Sequence, residues 1–125
     1  MIYLDTHLLI WIAEGNTRML SRKAESLING HDVFISPIVL LELQYLYEIG
    51  KAKVSSNKIM EILKRDIGLI ICPKDFNAVI EESIKHIWTR DPFDRIITAQ
   101  ASLEKNKLPT RDRSILTHYK YAIWE

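Results

Sequence analysis

The chain has 125 residues, of which 47% are hydrophobic and 26% are charged, and its net charge is +1. This length and composition predict a single globular domain, residues 1–125, that buries about two-thirds of its unfolded surface. The apolar runs are far shorter than the roughly 20 residues of a membrane span. The near-neutral charge gives no overall basic field for nucleic acid, so any phosphate binding must come from local placement.

The amino terminus and the cysteine content predict the compartment. No basic segment or small-residue cleavage site precedes the first apolar run, so we expect a cytoplasmic protein without a membrane anchor. Cys72 is the single cysteine and follows an apolar run, which predicts a buried, inert thiol.

Short apolar strands alternate with helices along the chain. Strands are predicted at residues 2–4, 33–35, 69–72 and 108–110, the last weakened by Pro109. Helices are predicted at 6–15, 21–30, 36–50, 55–68, 75–84 and 91–105, from their capping residues, apolar spacing and terminal glycines. Thr6 is the predicted cap of the first helix. No two-residue hairpin signal is present, so the strands are predicted to pair in parallel in a three-layer α/β/α sandwich.

Residues 90–101 are the most distinctive stretch, because two carboxylates open an apolar helix. Asp91 is a good N-cap and Pro92 suits the first helical turn. Asp94 follows at the third helical position. A purely structural interpretation is available, in which Asp91 caps the helix and Asp94 completes a capping box.

Three other acids are predicted to lie near this helix start. Asp5 and Asp112 follow the first and last predicted strands, and Glu42 lies roughly 7.5 Å into the helix after Pro37. Ligands of open parallel sheets bind beyond the carboxyl ends of the strands. The topology therefore predicts that the acids share one rim of the sheet.

Convergence of these acids would require compensation by protons or cations. Two carboxylates about 4 Å apart repel by about 4 kcal/mol at an effective dielectric constant of 20. A set of oxygen ligands without cysteine or clustered histidine suits Mg²⁺ or Mn²⁺. Such a site predicts metal-assisted phosphodiester hydrolysis without a serine or cysteine nucleophile.

Each residue also has a structural interpretation. Asp5 and Asp112 could be simple helix caps, and Glu42, which its apolar neighbours predict to be partly buried, could pair with a lysine. His7 is predicted to face away from Asp5 on the helix and to be a packing or supporting residue. The other histidines lack zinc-site spacing, and the aromatic stripes are predicted to be core or dimer surface.

Four segments together carry a family resemblance: residues 4–11, 36–42, 90–101 and 110–112. In their order and spacing, the chain resembles the PIN-domain ribonucleases, in particular VapC-like toxins of toxin–antitoxin pairs, and the Arg-Asp-Pro-Phe-Asp-Arg sequence at 90–95 is the most distinctive match. The resemblance implies a Mg²⁺- or Mn²⁺-dependent endoribonuclease with a sheet of four or five parallel strands. It further implies a homodimer that a cognate antitoxin inhibits.

Carried over by position, the resemblance assigns catalytic and metal-binding roles to Asp5, Glu42, Asp94 and Asp112. Asp5 and Asp94 would be the direct ligands. The supporting residues would be Asp91, Thr6 and Thr110. Two positions depart from the family pattern: Trp88-Thr89 stands where a histidine is frequent, and Pro109 replaces an aliphatic residue.

Substrate contacts and two alternative functions remain open at this stage. Four arginines flank the acids and could hold RNA phosphates, chiefly Arg95 and Arg111, with Arg90 and Arg113 beside them. One alternative is a PIN-like scaffold that binds RNA or protein without cutting. The other is a haloacid-dehalogenase-type phosphatase, which wants a second acid two residues after Asp5, where this chain has His7.

Overall fold

The computed structural model describes residues 1–125 and contains five short strands. They are β1 (Ile2–Tyr3), β2 (Val33–Ile35), β3 (Ile70–Ile71), β4 (Leu108–Pro109) and β5 (Ala122–Ile123). All the strand pairs are parallel: β1 with β2, β2 with β3, and β4 with β5. A parallel bridge between Ile2 and Lys107 joins the two groups, so the strands run in the order β3-β2-β1-β4-β5. The predicted α/β fold with a parallel sheet is confirmed.

Seven helices surround the strands. They are α1 (Thr6–Ala13), α2 (Arg22–Gly30), α3 (Ile38–Glu48), α4 (Ser56–Ile67), α5 (Phe76–Ile84), α6 (Pro92–Ser102) and α7 (Arg113–His118). The serine and aspartate starts follow the predictions: the side chains of Ser21, Ser55 and Asp75 accept hydrogen bonds from the first turns of their helices. Gly68 ends α4 in the left-handed conformation, at φ 64°, where a glycine costs least. No helix is long and apolar enough to cross a membrane.

Pro109 explains why β4 pairs fully on one side only. The N–H groups of Leu108 and Thr110 donate to carbonyls of the β5 side. Pro109 has no N–H to donate towards β1, where pairing is limited to the Lys107 bridge and the bond from Tyr3 N–H to Lys107 O. The proline therefore limits the contact between β1 and β4 without removing it.

The core is built around β1 and the helix faces that cover it. Residues Ile2 to Leu4 are at most 1% exposed, and Leu8, Leu43, Ile97, Leu108 and Ile115 are fully buried or nearly so. Cys72 is buried as predicted, with its Sγ 3.0 Å from the Tyr3 hydroxyl. Strand β1, both residues of which are buried, thus leads directly into Asp5 at the edge of the sheet.

Candidate functional site

Strand order reverses between β1 and β4, and Asp5 follows β1 at this point. Its Oδ1 accepts a hydrogen bond from the N–H of Thr6 at 2.7 Å, so Asp5 is the N-cap of α1. The sequence predicted that Thr6 would cap this helix. That prediction is wrong because Thr6 is already helical, and its hydroxyl is used elsewhere.

Thr110 and Asp112 extend the site from β4. The Thr110 hydroxyl donates to Asp5 Oδ2 at 2.6 Å and accepts the N–H of Asp112 at 3.0 Å. Asp112 Oδ1 caps α7 by accepting the N–H of Ile115 at 2.9 Å. One buried threonine therefore links the two aspartates that follow β1 and β4.

Glu42 reaches the same site from α3. Its Oε1 accepts a short hydrogen bond from the Thr6 hydroxyl. Glu42 is half-buried, as predicted, and pairs with no lysine. Thr6 and Thr110 thus hold one carboxylate each, Glu42 and Asp5.

Asp91 and Asp94 approach from the start of α6, where only Asp91 caps the helix. Asp91 Oδ1 accepts the N–H groups of Phe93 at 2.8 Å and Asp94 at 3.1 Å. No capping box forms, because the Asp91 N–H donates to Thr89 Oγ1 rather than to the Asp94 carboxylate. The Asp94 carboxylate has no hydrogen-bond partner in the protein, so capping does not account for it.

All five acids line one cavity of about 360 Å³. The remaining lining residues are His7, Leu8, Trp11 and Arg111. None of the five carboxylates forms a salt bridge. The predicted meeting of the acids at one edge of the sheet is therefore what the fold produces.

Burial, followed by repulsion from the neighbouring acids, raises the pKa values of three carboxyl groups in this cavity. The pKa of Asp94 is raised to about 8, first by burial and then by the charges of Asp91, Asp112, Asp5 and Glu42. Burial and the charges of Asp5 and Asp91 raise the pKa of Glu42 to about 7, against the hydrogen bond from Thr6, which lowers it. Burial also raises the pKa of Asp5, and its bonds from Thr110 and Thr6 oppose that shift.

The residues fit a hard divalent cation that keeps part of its water shell. The donors are carboxylate oxygens, and the Asp94 carboxylate is half-buried without a partner. As the side chains stand, no three acidic, histidine or cysteine groups are arranged to hold an ion together. Mg²⁺ usually binds through one or two carboxylates and several waters, so it does not require such a group.

The arginines do not share one role. Arg111 lines the cavity, whereas the Arg95 guanidinium donates to the carbonyls of Ser83 and Ile84, both at 3.2 Å, at the end of α5. Arg90 similarly donates to the Ile87 carbonyl at 3.0 Å. Arg95 thus stabilises a helix C-terminus outside the cavity, and this geometry does not support its predicted contact with phosphate.

Sequence reasoning overlooked two lining residues. His7 was expected to face elsewhere, and Trp11 was assigned to the core or a dimer surface, yet both line the cavity. The available signal was that His7 and Trp11 are four residues apart in a predicted helix, because residues four apart share a helix face. The sequence did not show that this face of α1 turns towards the acids, because that depends on how the helix packs.

Together, the fold and the site define a parallel α/β protein with a carboxylate-lined cavity at the reversal of strand order. The PIN domain family model matches residues 2–120, and the chain belongs to this family. The family resemblance found in the sequence is thereby confirmed.

Solved structures with the same fold include two toxin–antitoxin assemblies. One is VapBC2 from Rickettsia felis, bound to a DNA fragment from its promoter. It contains a chain that is 23% identical to this one, with a TM-score of 0.67, and the match covers 100% of this chain and 98% of that chain. A toxin–antitoxin complex from Klebsiella pneumoniae gives 19% identity and a TM-score of 0.67 over 98% and 96%. No curated protein matches the chain significantly. At these identities the likeness establishes the fold.

Proposed function

We propose that this protein is a metal-dependent endoribonuclease that hydrolyses RNA phosphodiester bonds. The observation that carries the proposal is the cavity in which Asp5, Glu42, Asp94 and Asp112 meet without any neutralising salt bridge. A scaffold would gain nothing from this repulsion, whereas a site that takes up divalent cations requires negative charge in excess. Membership of the PIN domain family supports the same function.

The acidic residues and the two threonines of the site have different proposed roles. Asp5 and Asp94 would hold Mg²⁺ or Mn²⁺, with Glu42 and Asp112 completing the acidic set. When bound, the cation would supply charge neutralisation and acidification of a water. Thr110 and Thr6 fix the carboxylates of Asp5 and Glu42 through hydrogen bonds.

Two further groups act on the substrate side. Only Oε1 of Glu42 accepts a hydrogen bond, so Oε2 can accept a proton from the attacking water. The exposed Arg111 guanidinium can donate two hydrogen bonds to a phosphate group beside the acids.

The biological role we propose is the toxin of a toxin–antitoxin pair, acting as a homodimer with a cognate antitoxin as inhibitor. The fold shared with the two toxin–antitoxin assemblies supports it. Exposed apolar side chains along α3 also support a protein partner, since Leu41 is 58% and Tyr45 49% exposed. Co-expression with the neighbouring gene product, followed by co-purification, tests this role.

The decisive experiment for the activity is cleavage of a mixed single-stranded RNA pool by the purified protein with Mg²⁺, with Mn²⁺ and with EDTA. We expect cleavage with metal, none with EDTA, and none by Asp5→Ala or Asp94→Asn. Asp75→Asn is the matched control, because Asp75 is an N-cap that does not line the cavity and asparagine preserves the cap.

Each outcome separates the functions under consideration. RNA binding without cleavage by the Asp94→Asn protein supports the nuclease, and unchanged cleavage by that variant contradicts the proposed site. A folded wild-type protein that binds RNA but never cuts it would be a PIN-like scaffold. Hydrolysis of phosphate monoesters with intact RNA would instead favour the phosphatase.

A further inference from the structure

One part of the cavity lining is aromatic, and the proposed hydrolysis does not use it. His7 and Trp11 lie four residues apart on α1, with ring centroids 6.3 Å apart, and both line the cavity. Trp11 also contacts Trp124, with centroids 6.1 Å apart and ring planes at 62°. A short aromatic row therefore starts beside the acids and continues to the carboxyl-terminal strand region.

Core packing accounts for only part of this row. Trp11 and Trp124 pack against the core but stay half-buried, and His7 is exposed. The edge-to-face contact with Trp124 fixes the orientation of the Trp11 indole. An indole held in place on the wall of an otherwise acidic cavity is available for a planar ligand.

The position of Trp11 relative to the acids suits a nucleotide. Trp11 lies six residues beyond Asp5, or about 9 Å along the helix axis. Arg111, the cation in the lining, lies next to Asp112 in the chain. A phosphate at the acids and Arg111 would therefore leave room for a base of the same strand to reach the indole.

We propose that Trp11, with His7 beside it, is a stacking surface for a base of single-stranded RNA whose phosphate backbone enters the acidic cavity. The inference rests on the proposed function for its substrate class and adds a specificity-determining residue to it. A base paired in a duplex presents no free face to an indole, so the surface selects unpaired nucleotides. Stacking tolerates any base, because every base has a π-face.

The test compares base-containing and abasic ligands on protein that cannot cleave. All variants carry Asp94→Asn, and fluorescence anisotropy measures binding of a labelled single-stranded RNA pool at one fixed salt concentration. The abasic ligand has the same length and charge, with every base removed. Trp11→Leu removes the stacking ring, Trp11→Phe keeps an aromatic ring, and Trp88→Leu is the control, since Trp88 lies outside the cavity lining.

We expect Trp11→Leu to weaken RNA binding by about 10-fold or more, and Trp11→Phe to weaken it much less. Trp88→Leu should bind like its parent. Abasic ligand should bind the parent as weakly as RNA binds Trp11→Leu, and Trp11→Leu should not weaken abasic binding further. If Trp11 had only a structural role, Trp11→Leu would weaken binding of RNA and of the abasic ligand equally. A loss for RNA alone therefore identifies stacking on a base.

Three results would overturn the proposal. One is equal binding of RNA and abasic ligand by the parent protein, which needs no Trp11 variant to fold. Another is binding of neither ligand. The third is equal loss of both ligands in Trp11→Leu, as expected if the substitution only distorts the cavity.

The stacking proposal and the proposed function can fail separately. A wild-type protein that cuts RNA without base-dependent binding would support the nuclease proposal and contradict the stacking proposal. Base-dependent binding through Trp11, combined with a wild-type protein that never cuts RNA, would support the stacking proposal and contradict the nuclease proposal.

Discussion

The hydroxyl of Thr110 donates a hydrogen bond to Asp5 Oδ2 at 2.6 Å, between residues 105 positions apart in the chain. Both residues are buried, and the bond closes the edge of the sheet where β1 and β4 meet. It also opposes the rise that burial imposes on the pKa of Asp5. This contact makes the ionised form of Asp5 depend on the packing of the last strands.

Replacing Thr110 by valine tests that dependence. The isosteric side chain leaves Asp5 Oδ2 buried without a donor and the Asp112 N–H without its acceptor, which should cost about 1–3 kcal/mol of unfolding free energy and reduce RNA cleavage. Urea denaturation and the cleavage assay measure the two effects. Thr117→Val is the control, because Thr117 is exposed and its hydroxyl bonds only within α7, so a change within about 0.5 kcal/mol is expected there. Equal stability of Thr110→Val and wild type would contradict the role of this bond.

Asp91 and Asp94 should respond differently to substitution. Asp94→Asn relieves repulsion from four acids without removing a hydrogen bond, so it should raise the thermal stability of the metal-free protein. Asp91→Ala removes the cap of α6 and should therefore be about 1 kcal/mol less stable than Asp91→Asn, which removes the same charge and keeps the cap. Differential scanning calorimetry in EDTA measures both. A clear loss of stability in Asp94→Asn would show that Asp94 is structural after all.

The metal-free protein should be less stable at pH 8 than at pH 5. Asp94 and Glu42 have folded pKa values of about 8 and about 7, above their ordinary values of 3.8 and 4.5. Between about pH 4 and 8 the folded state therefore binds more protons than the unfolded state, and stability falls as pH rises through this window.

The Asp94→Asn variant isolates this effect from other titrations. His86 works in the opposite direction, since burial lowers its pKa and stability falls as the pH drops below its ordinary value. The difference in melting temperature between Asp94→Asn and wild type should therefore grow from pH 5 to pH 8. A difference that stays constant over this range would contradict the raised pKa of Asp94.

Divalent cations should stabilise the protein through the same carboxylates. A ligand at 100 times its Kd adds about 2.7 kcal/mol to the unfolding free energy. Titration with Mg²⁺ or Mn²⁺ at pH 8 should raise the melting temperature, with a smaller rise in Asp94→Asn and an unchanged one in Asp75→Asn. NaCl at matched ionic strength controls for screening. No response to either ion in the wild type would remove the support for a cation site.

Much of this molecule could be predicted from local patterns. Apolar runs flanked by glycine, proline and capping residues marked the strands and helices, because propensity and capping act within a few residues. The positions of Asp5, Asp94 and Asp112 after strands or at a helix start predicted one shared edge of the sheet. The order and spacing of four short segments predicted the family, and the matching family model confirms it.

Only the tertiary structure decided which groups share hydrogen bonds and which side chains face the cavity. The bond from Thr6 to Glu42 and the bond from Thr110 to Asp5 join segments that are distant in the chain, and local sequence does not encode how those segments pack. The same holds for Arg95, which bonds to carbonyls of α5, and for Trp11, which lines the cavity. Contacts between distant segments follow from how the elements pack, and packing is a property of the whole chain.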